Sequence, residues 1–434
     1  MKLLRFPATE EITRALQRPA AGATQIANRI QEILAAVAES GDAALRDYTL
    51  RFDGVQLSEL RVSPQALEQR ARQVPPELQQ ALAVARANIE RFHSSQLTRE
   101  PVVETMPGVC CWRRSIALDR VGMYIPAGTA PLFSSALMLA IPARLAGCKQ
   151  IVFCTPPDKT GAIHPAIALI AAQLEITEVY AVGGAQAIAA MAYGTESIPK
   201  VQKICGPGNA YVTGAKEIVA RQGTAIDLPA GPSEVLVIAD SSAQPAYVAA
   251  DLLAQAEHGP DSQVVLLTTD QALFEAVQRE LLVQLEQLPR KEIAEKALEN
   301  SVLCLLPSLE RALELSNYYA PEHLIIASSR AQELAEQVTC AGSVFLGNNT
   351  PEAAGDYASG TNHTLPTAGW ARSVSGVSVD TFVKKVTFQE ISASGLAQIG
   401  ATVMTMAQHE GLEAHSRAVS LRLEFGKPRV TENQ

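Results

Sequence analysis

Residues 121–143 read VGMYIPAGTAPLFSSALMLAIPA, 23 positions without a charge. That length is enough to cross a bilayer. The composition argues otherwise, because Pro126, Pro131 and Pro142, with Gly122 and Gly128, would leave several backbone groups unpaired in lipid. The stretch reads as a buried strand, a turn and a helix. Working outward, short apolar runs at 121–125, 151–154 and 179–182 alternate with alanine-rich helical stretches such as 165–174 and 185–193. The alternation resumes after Pro232, at 235–239, 264–268, 302–306, 324–327 and 344–346. Strand and helix in turn predict an α/β fold of two mostly parallel sheets with helices on both faces.

The flanks differ. In the first hundred residues Ile26, Ile30, Ile33, Leu34 and Val37 recur at helical spacing and stop at Gly41. Ser63-Pro64 reads as an N-cap followed by proline at the first helical position, and Pro76 opens a helix carrying Leu78, Leu82, Ile89 and Phe92. Residues 347–381 carry little periodicity but much Gly, Asn, Thr, Pro and Asp, and so long an irregular stretch is usually functional. Beyond it, Thr387-x-x-Glu390 reads as a capping box. Leu396, Ile399, Val403 and Met406 follow as one apolar stripe, able to pack on this chain or on a partner subunit.

At about 150 residues per domain, 434 residues predict two to three domains. With 47% hydrophobic and 19% charged residues, the chain is neither disordered nor a coiled coil. A formal charge of −9 disfavours nucleic acid or an anionic membrane as the main partner. Cysteines 110, 111, 148, 154, 205, 304 and 340 are an odd number without a CxxC, against a disulfide framework or a thiolate zinc knuckle. A reducing cytoplasm is the expected compartment. Lys2 and Arg5 are followed by Glu10 and Glu11 where a signal peptide needs an apolar run.

Two motif searches fail. Gly206-Pro-Gly-Asn-Ala-Tyr211 has the first two glycines of GxGxxG, but Tyr211 replaces the third, which close helix–strand packing requires. Taken alone it is a tight turn before a helix at 209–221. His409-Glu410 with His415 spaces its histidines six apart, about 600° around a helix, so they do not share the face that HExxH needs. Either histidine could still bind a metal with partners from elsewhere.

Three clusters remain. Gln255 and His258 are three apart at a helix end closed by Gly259-Pro260, so both reach one point; a histidine favoured by the helix dipole explains the same pattern. Glu322 and His323 adjoin a strand entrance after Pro321, as a base pair or as ordinary exposed residues. Residues 355–367, GDYASGTNHTLPT, place Asp356 and His363 on a glycine-rich loop able to wrap a small ligand. His93 and His164 read as structural, and Cys148 as a small buried residue before it reads as a nucleophile.

Taken together, these segments closely resemble the histidinol dehydrogenase family, from about residue 20 to 425. The strings that carry the likeness begin at Tyr124 (YIPAGTAPLF), Val182 (VGGAQAIAA), Gly206 (GPGN), Asp227 (DLPAGPSEVL), Gln255 (QAEHGPDSQ), Tyr319 (YAPEHL) and Gly355 (GDYASGTNHTLPT). The resemblance implies oxidation of L-histidinol to L-histidine through histidinaldehyde, in two NAD-dependent steps that end histidine biosynthesis, with one zinc per site. It implies Gln255, His258, Asp356 and His415 as zinc ligands that also meet the substrate. His323 matches the general base and Glu322 the residue that activates water. Ser233, His363 and Glu410 match substrate contacts, and Tyr124, Gln186 and Asn209 match NAD contacts. It also implies a homodimer whose carboxyl-terminal arm donates Glu410 and His415 to the other subunit's site.

The layout expected is an amino-terminal segment, 1–21; a first Rossmann-like domain, 22–123 with 233–378, holding most of the zinc and substrate site; a second, NAD-binding one at 124–232, lacking the glycine fingerprint; and a helical arm, 379–434. Four competing activities remain: a paralogue acting on another primary alcohol, a zinc hydrolase using Glu322, an aldehyde dehydrogenase using Cys148, and a metal-binding protein without turnover.

Overall fold

The computed structural model describes residues 1–18, 23–128, 131–229 and 231–425. The end of the expected amino-terminal segment (19–21) with residue 22, Thr129, Ala130 and Ala230 within the quoted strings, and the end of the arm (426–434) lie outside the described residues. The chain forms two compact units, one of Met1–Gln96 with Leu118–Phe382, the other of Leu97–Ala117 with Val383–Gln434.

The first unit holds two parallel sheets. One runs Lys2–Arg5, Val302–Leu305, Gln263–Thr268, Glu234–Ala239, His323–Ala327, Ser343–Leu346 across its six strands. Its central strands are buried on both faces, which is why they read as continuous apolar runs. Val235 and Val237 enter one core with Phe274 and Leu281, whereas Leu236 and Ile238 enter another with Leu313 and Tyr319. The other sheet runs Glu178–Tyr180, Gln150–Cys154, Arg120–Tyr124, Lys203–Cys205, Ala225–Ile226. Val121 and Phe153 face one core, and Tyr124 and Val152 the other. Residues 134–146 form the expected helix (Ser134–Ala146), buried through most of its length.

The amino-terminal helices depart from the expected layout. Ala23–Asp53 packs on Gly184–Tyr193 and Ala210–Arg221, and Pro64–Ala71 packs on Pro165–Gln173. Ile30, Ile33, Leu34 and Val37 therefore complete the core of the five-stranded sheet, although the expectation grouped 22–123 with 233–378. The reason is local: these helices cover apolar faces of the sheet that 120–226 builds. Gly41 breaks Ala23–Asp53 at φ +53°, where the spacing predicted a stop. Ser63 caps its helix by accepting the N–H of Ala66, as predicted. Residues 2–5 are an edge strand rather than helix.

The second unit is a three-stranded antiparallel sheet, Val383–Ile391, Val109–Ala117, Val103–Met106, with the helices Ala393–His409 and Glu413–Phe425. The expected capping box is corrected here. Thr387 and Glu390 pair in the sheet with Arg113 and Cys110, and the true N-cap is Ser392, which accepts the N–H of Gly395. The expected arm, 379–434, thus opens with a short 3-10 helix, Val379–Phe382, that belongs to the first unit, and continues as the strand Val383–Ile391.

Candidate functional site

The five-stranded sheet places the strand that comes first in sequence, Arg120–Tyr124, at its centre, so adjacent connections leave in opposite directions beside it; in the six-stranded sheet Glu234–Ala239 lies inside and Lys2–Arg5 at the edge. In the five-stranded sheet the carboxyl ends of the strands carry Tyr124, the Gly183-Gly184 turn and the Gly206–Asn209 turn, the usual crevice of an open α/β sheet. In the six-stranded sheet the titratable cluster lies at the amino ends instead, since Glu234 and His323 are the first residues of their strands.

On the five-stranded sheet, the hydroxyl of buried Tyr124 accepts the N–H of Gly184, and burial pushes its pKa up to about 12. Gln186 is buried in the helix Gly184–Tyr193, with Oε1 lacking any hydrogen-bond partner. Asn209 caps Ala210–Arg221, its Oδ1 taking the N–H groups of Tyr211 and Val212. Gly206 has φ +126°, and a Cβ there would collide with the Tyr124 carbonyl. A buried ion pair secures this turn. Asp227 takes the Gly206 N–H at 2.7 Å and Lys216 at 2.5 Å, while Lys216 donates to the Gly206 carbonyl at 2.9 Å. Tyr124, Gln186 and Asn209 are thus gathered along one edge, where two helix N-termini favour an anion.

The six-stranded sheet gathers the acid–base residues. His323 is buried at the strand entrance, with Nδ1 2.8 Å from Gln255 Nε2 and 3.2 Å from the Glu234 carbonyl. Its Nε2 makes no hydrogen bond, and Asp356 Oδ1 lies 3.4 Å away. Burial opposes the imidazolium, but Glu352, Glu322 and Asp356 outweigh it and hold the His323 pKa well above the ordinary value. Glu322 Oε2 accepts the Glu234 N–H at 2.8 Å. Gln255 lies in the helix Pro245–Ala256 with Oε1 buried and unpartnered, while His258 lies exposed just beyond that helix. Ser233 is half-buried beside Glu234.

Asp356 is not on an irregular loop, as expected, but on a short helix, Glu352–Tyr357. That helix also carries Glu352, which the sequence reading missed. Glu352 is buried with Oε2 unpartnered, and burial pushes its pKa up to about 8. Ligand atoms of His323, Glu352 and Asp356 lie within 4.8 Å of one another. Despite burial, the neighbouring His323 holds the Asp356 carboxyl below its usual range, with His363 and His258 adding to the effect. The only signal for Glu352 was its spacing, one helical turn before Asp356.

His363 has both ring nitrogens engaged, Nδ1 at 2.8 Å from the Asp356 carbonyl and Nε2 at 3.0 Å from Ser135 Oγ. A carbonyl only accepts, so Nδ1 carries the proton and Ser135 donates to Nε2. Burial lowers the His363 pKa, disfavouring the charged ring. A substrate group can therefore reach Nε2 only by replacing the Ser135 hydroxyl. Glu410 directly follows Ala393–His409 and His415 lies in Glu413–Phe425; both are exposed residues of the second unit. His93 and His164 have structural partners, Gln96 and the Ala166 N–H. Burial pushes the Cys148 thiol up to about 11, against a nucleophilic role.

The donor set fits a cation of the zinc type. Gln255 Oε1 and Glu352 Oε2 are buried polar atoms without partners, near the carboxylate of Asp356. Such atoms cost free energy unless something else satisfies them. Nitrogen and oxygen donors without thiolate also suit a site that exchanges ligands with substrate.

Comparison with known proteins decides the family. The family model for histidinol dehydrogenase matches residues 16–423. The chain belongs to the histidinol dehydrogenase family. Among the relatives, the histidinol dehydrogenase of Bacteroides thetaiotaomicron is 54% identical over 424 residues, covering 98% of this chain and 99% of that protein. That of Xylella fastidiosa is 54% identical over 412 residues, covering 94% and 96%. The crystal structure of histidinol dehydrogenase from Elizabethkingia anophelis superposes with a TM-score of 0.96 at 50% identity, covering 98% of each chain. An acetylating aldehyde dehydrogenase from Geobacillus thermoglucosidasius, at 16% identity and a TM-score of 0.50, shares the fold alone.

Proposed function

We propose that this chain oxidises L-histidinol to L-histidine through histidinaldehyde, consuming two NAD+ and one water and releasing two NADH and three protons. The observation that carries the reading is the paired geometry of His323 and Glu322, each with one polar atom tied to residue 234. In its neutral Nδ1–H form His323 would take the hydroxyl proton of the alcohol at Nε2, which has no hydrogen-bond partner, and a cation bound among the carboxylates would offset the field that otherwise favours the imidazolium. Glu322, anchored through Oε2, has Oε1 left to draw a proton from water as it adds to the aldehyde. Returning His323 to its neutral form then readies it for the resulting gem-diol. Adjacent residues with diverging side chains let two bases address two protons.

Gln255, His258 and Asp356 would hold the zinc, with His415 and Glu410 supplied by a second copy of the chain in a homodimer. Ser233 and His363 would contact the substrate, and Tyr124, Gln186 and Asn209 the NAD. When bound, zinc polarises and orients the alcohol and NAD accepts the hydride of each step. The carboxylates around the site favour such a cation, and the orphaned oxygen of Gln255 supports its place among the ligands. A reducing cytoplasm suits seven free cysteines. Among the described residues no helix is long and apolar enough to cross a membrane.

The test is NADH formation from L-histidinol by the zinc-loaded protein, counted against histidine. Two NADH per histidine, lost on chelation and in His323→Ala, is the expected result. A zinc-loaded protein giving no NADH from histidinol would remove the substrate assignment.

A further inference from the structure

Residue 234 supports three site side chains through its backbone alone. Its N–H donates to Glu322 Oε2 at 2.8 Å, and its carbonyl accepts from Gln255 Nε2 and faces His323 Nδ1, both at 3.2 Å. The position of this backbone therefore sets where both bases point. Its own side chain is a buried carboxylate at the first position of a strand, a poor place for a charge without a partner.

Arg18 supplies the partner, from a segment whose sequence carries no motif. Its guanidinium grips Glu234 as a fork, Nε on Oε1 and Nη2 on Oε2 at 2.8 Å. Nη2 also donates to the Tyr319 carbonyl at 2.9 Å, and the guanidinium lies 4.0 Å from the Tyr319 ring centroid. The Ala368 N–H completes the shell of Glu234 at 2.9 Å. Tyr319 stands three residues before Glu322. One side chain thus ties the start of Glu234–Ala239 to the turn that delivers Glu322 and His323.

We propose that Arg18 is a positioning residue for the oxidation, acting through Glu234 on Glu322 and His323; this rests on the reading of those two as the proton acceptors. A planar fork fixes the rotation of a carboxylate, which the single ammonium of lysine does not. Without it, the Glu234 carboxylate is left buried beside Glu322, and the strand entrance must shift or hydrate. A displacement of about 1 Å at reacting groups costs on the order of a hundredfold in rate.

The experiment uses the full-length zinc-loaded enzyme as native, Arg18→Ala and Arg18→Lys. Thermal melting of each variant separates folding from catalysis. In folded Arg18→Ala, kcat should fall by about tenfold or more while KM for NAD changes by less than about twofold. Added guanidinium ion should recover part of kcat in Arg18→Ala and leave the native enzyme unchanged, whereas Arg18→Lys should recover little. A purely structural role predicts a loss that follows the folded fraction and is deaf to guanidinium; that result, or native kcat in folded Arg18→Ala, overturns the proposal. A native chain with zinc bound and no turnover of histidinol removes the functional reading, and the proposal with it.

Discussion

Asp251 offers a direct probe of the electrostatics behind the metal cluster. It lies on Pro245–Ala256, accepts the backbone N–H of Glu352, and is pushed by burial from 3.8 up to about 6. A folded-state value above the unfolded one means that the folded protein binds more protons between about pH 4 and 6. Stability from this group therefore falls as pH rises through that window and stays reduced above it. The gap corresponds to about 3 kcal/mol. Asp251 is partly exposed, and screening cuts the expected penalty to about 1–2 kcal/mol. Asp251→Asn keeps an oxygen for the Glu352 N–H and removes the charge. In metal-free protein it should raise stability to urea by about 1–2 kcal/mol near pH 8, and by much less near pH 4.5. An equal effect at both pH values would show that burial is not what perturbs this carboxyl.

Two further perturbations address the other sheet. Gly206→Ala should destabilise the protein by about 2 kcal/mol or more, because the backbone sits at φ +126° and the new methyl meets the Tyr124 carbonyl. Thermal melting checks the stability, and a KM for NAD that rises with zinc binding retained checks that the turn serves the nucleotide. Alkylation at neutral pH should spare turnover, since a Cys148 thiol raised to about 11 has on the order of one thiolate in a thousand or fewer. Inactivation that tracks modification of Cys148 alone would revive a thiol mechanism.

The fold was legible wherever a strand is buried on both faces. Runs such as 235–239 and 264–268 have no polar face to interrupt them, and Ser63 and Asn209 announce their helices through capping chemistry. The strands of the second unit escaped notice because most of their side chains are not buried, and because Val383–Ile391 pairs with Val109–Ala117 across some 270 positions. Local chemistry at Thr387 and Glu390 imitated a helix start that tertiary pairing overrides. In the candidate site, His323, Glu322 and Asp356 were found by motif. Glu352, Asp251 and Arg18 were not, since an acid or an arginine looks the same in sequence whether it is solvated or buried. Ser135 drew no notice either, yet its hydroxyl occupies the outer nitrogen of His363.

The strand Lys2–Arg5 lies at the edge of the six-stranded sheet, in parallel register with Val302–Leu305. During synthesis these four residues must wait for nearly three hundred more before their hydrogen-bonding neighbour exists. The five-stranded sheet has all of its strands between 120 and 226, so it can close while the other is still being made. Until Lys2–Arg5 returns to it, Val302–Leu305 exposes an unsatisfied backbone edge of the kind that seeds association between chains. Arg18, which follows that first strand closely, reaches Glu234 only on the same late return. Catalytic competence should consequently lag behind the appearance of secondary structure during refolding.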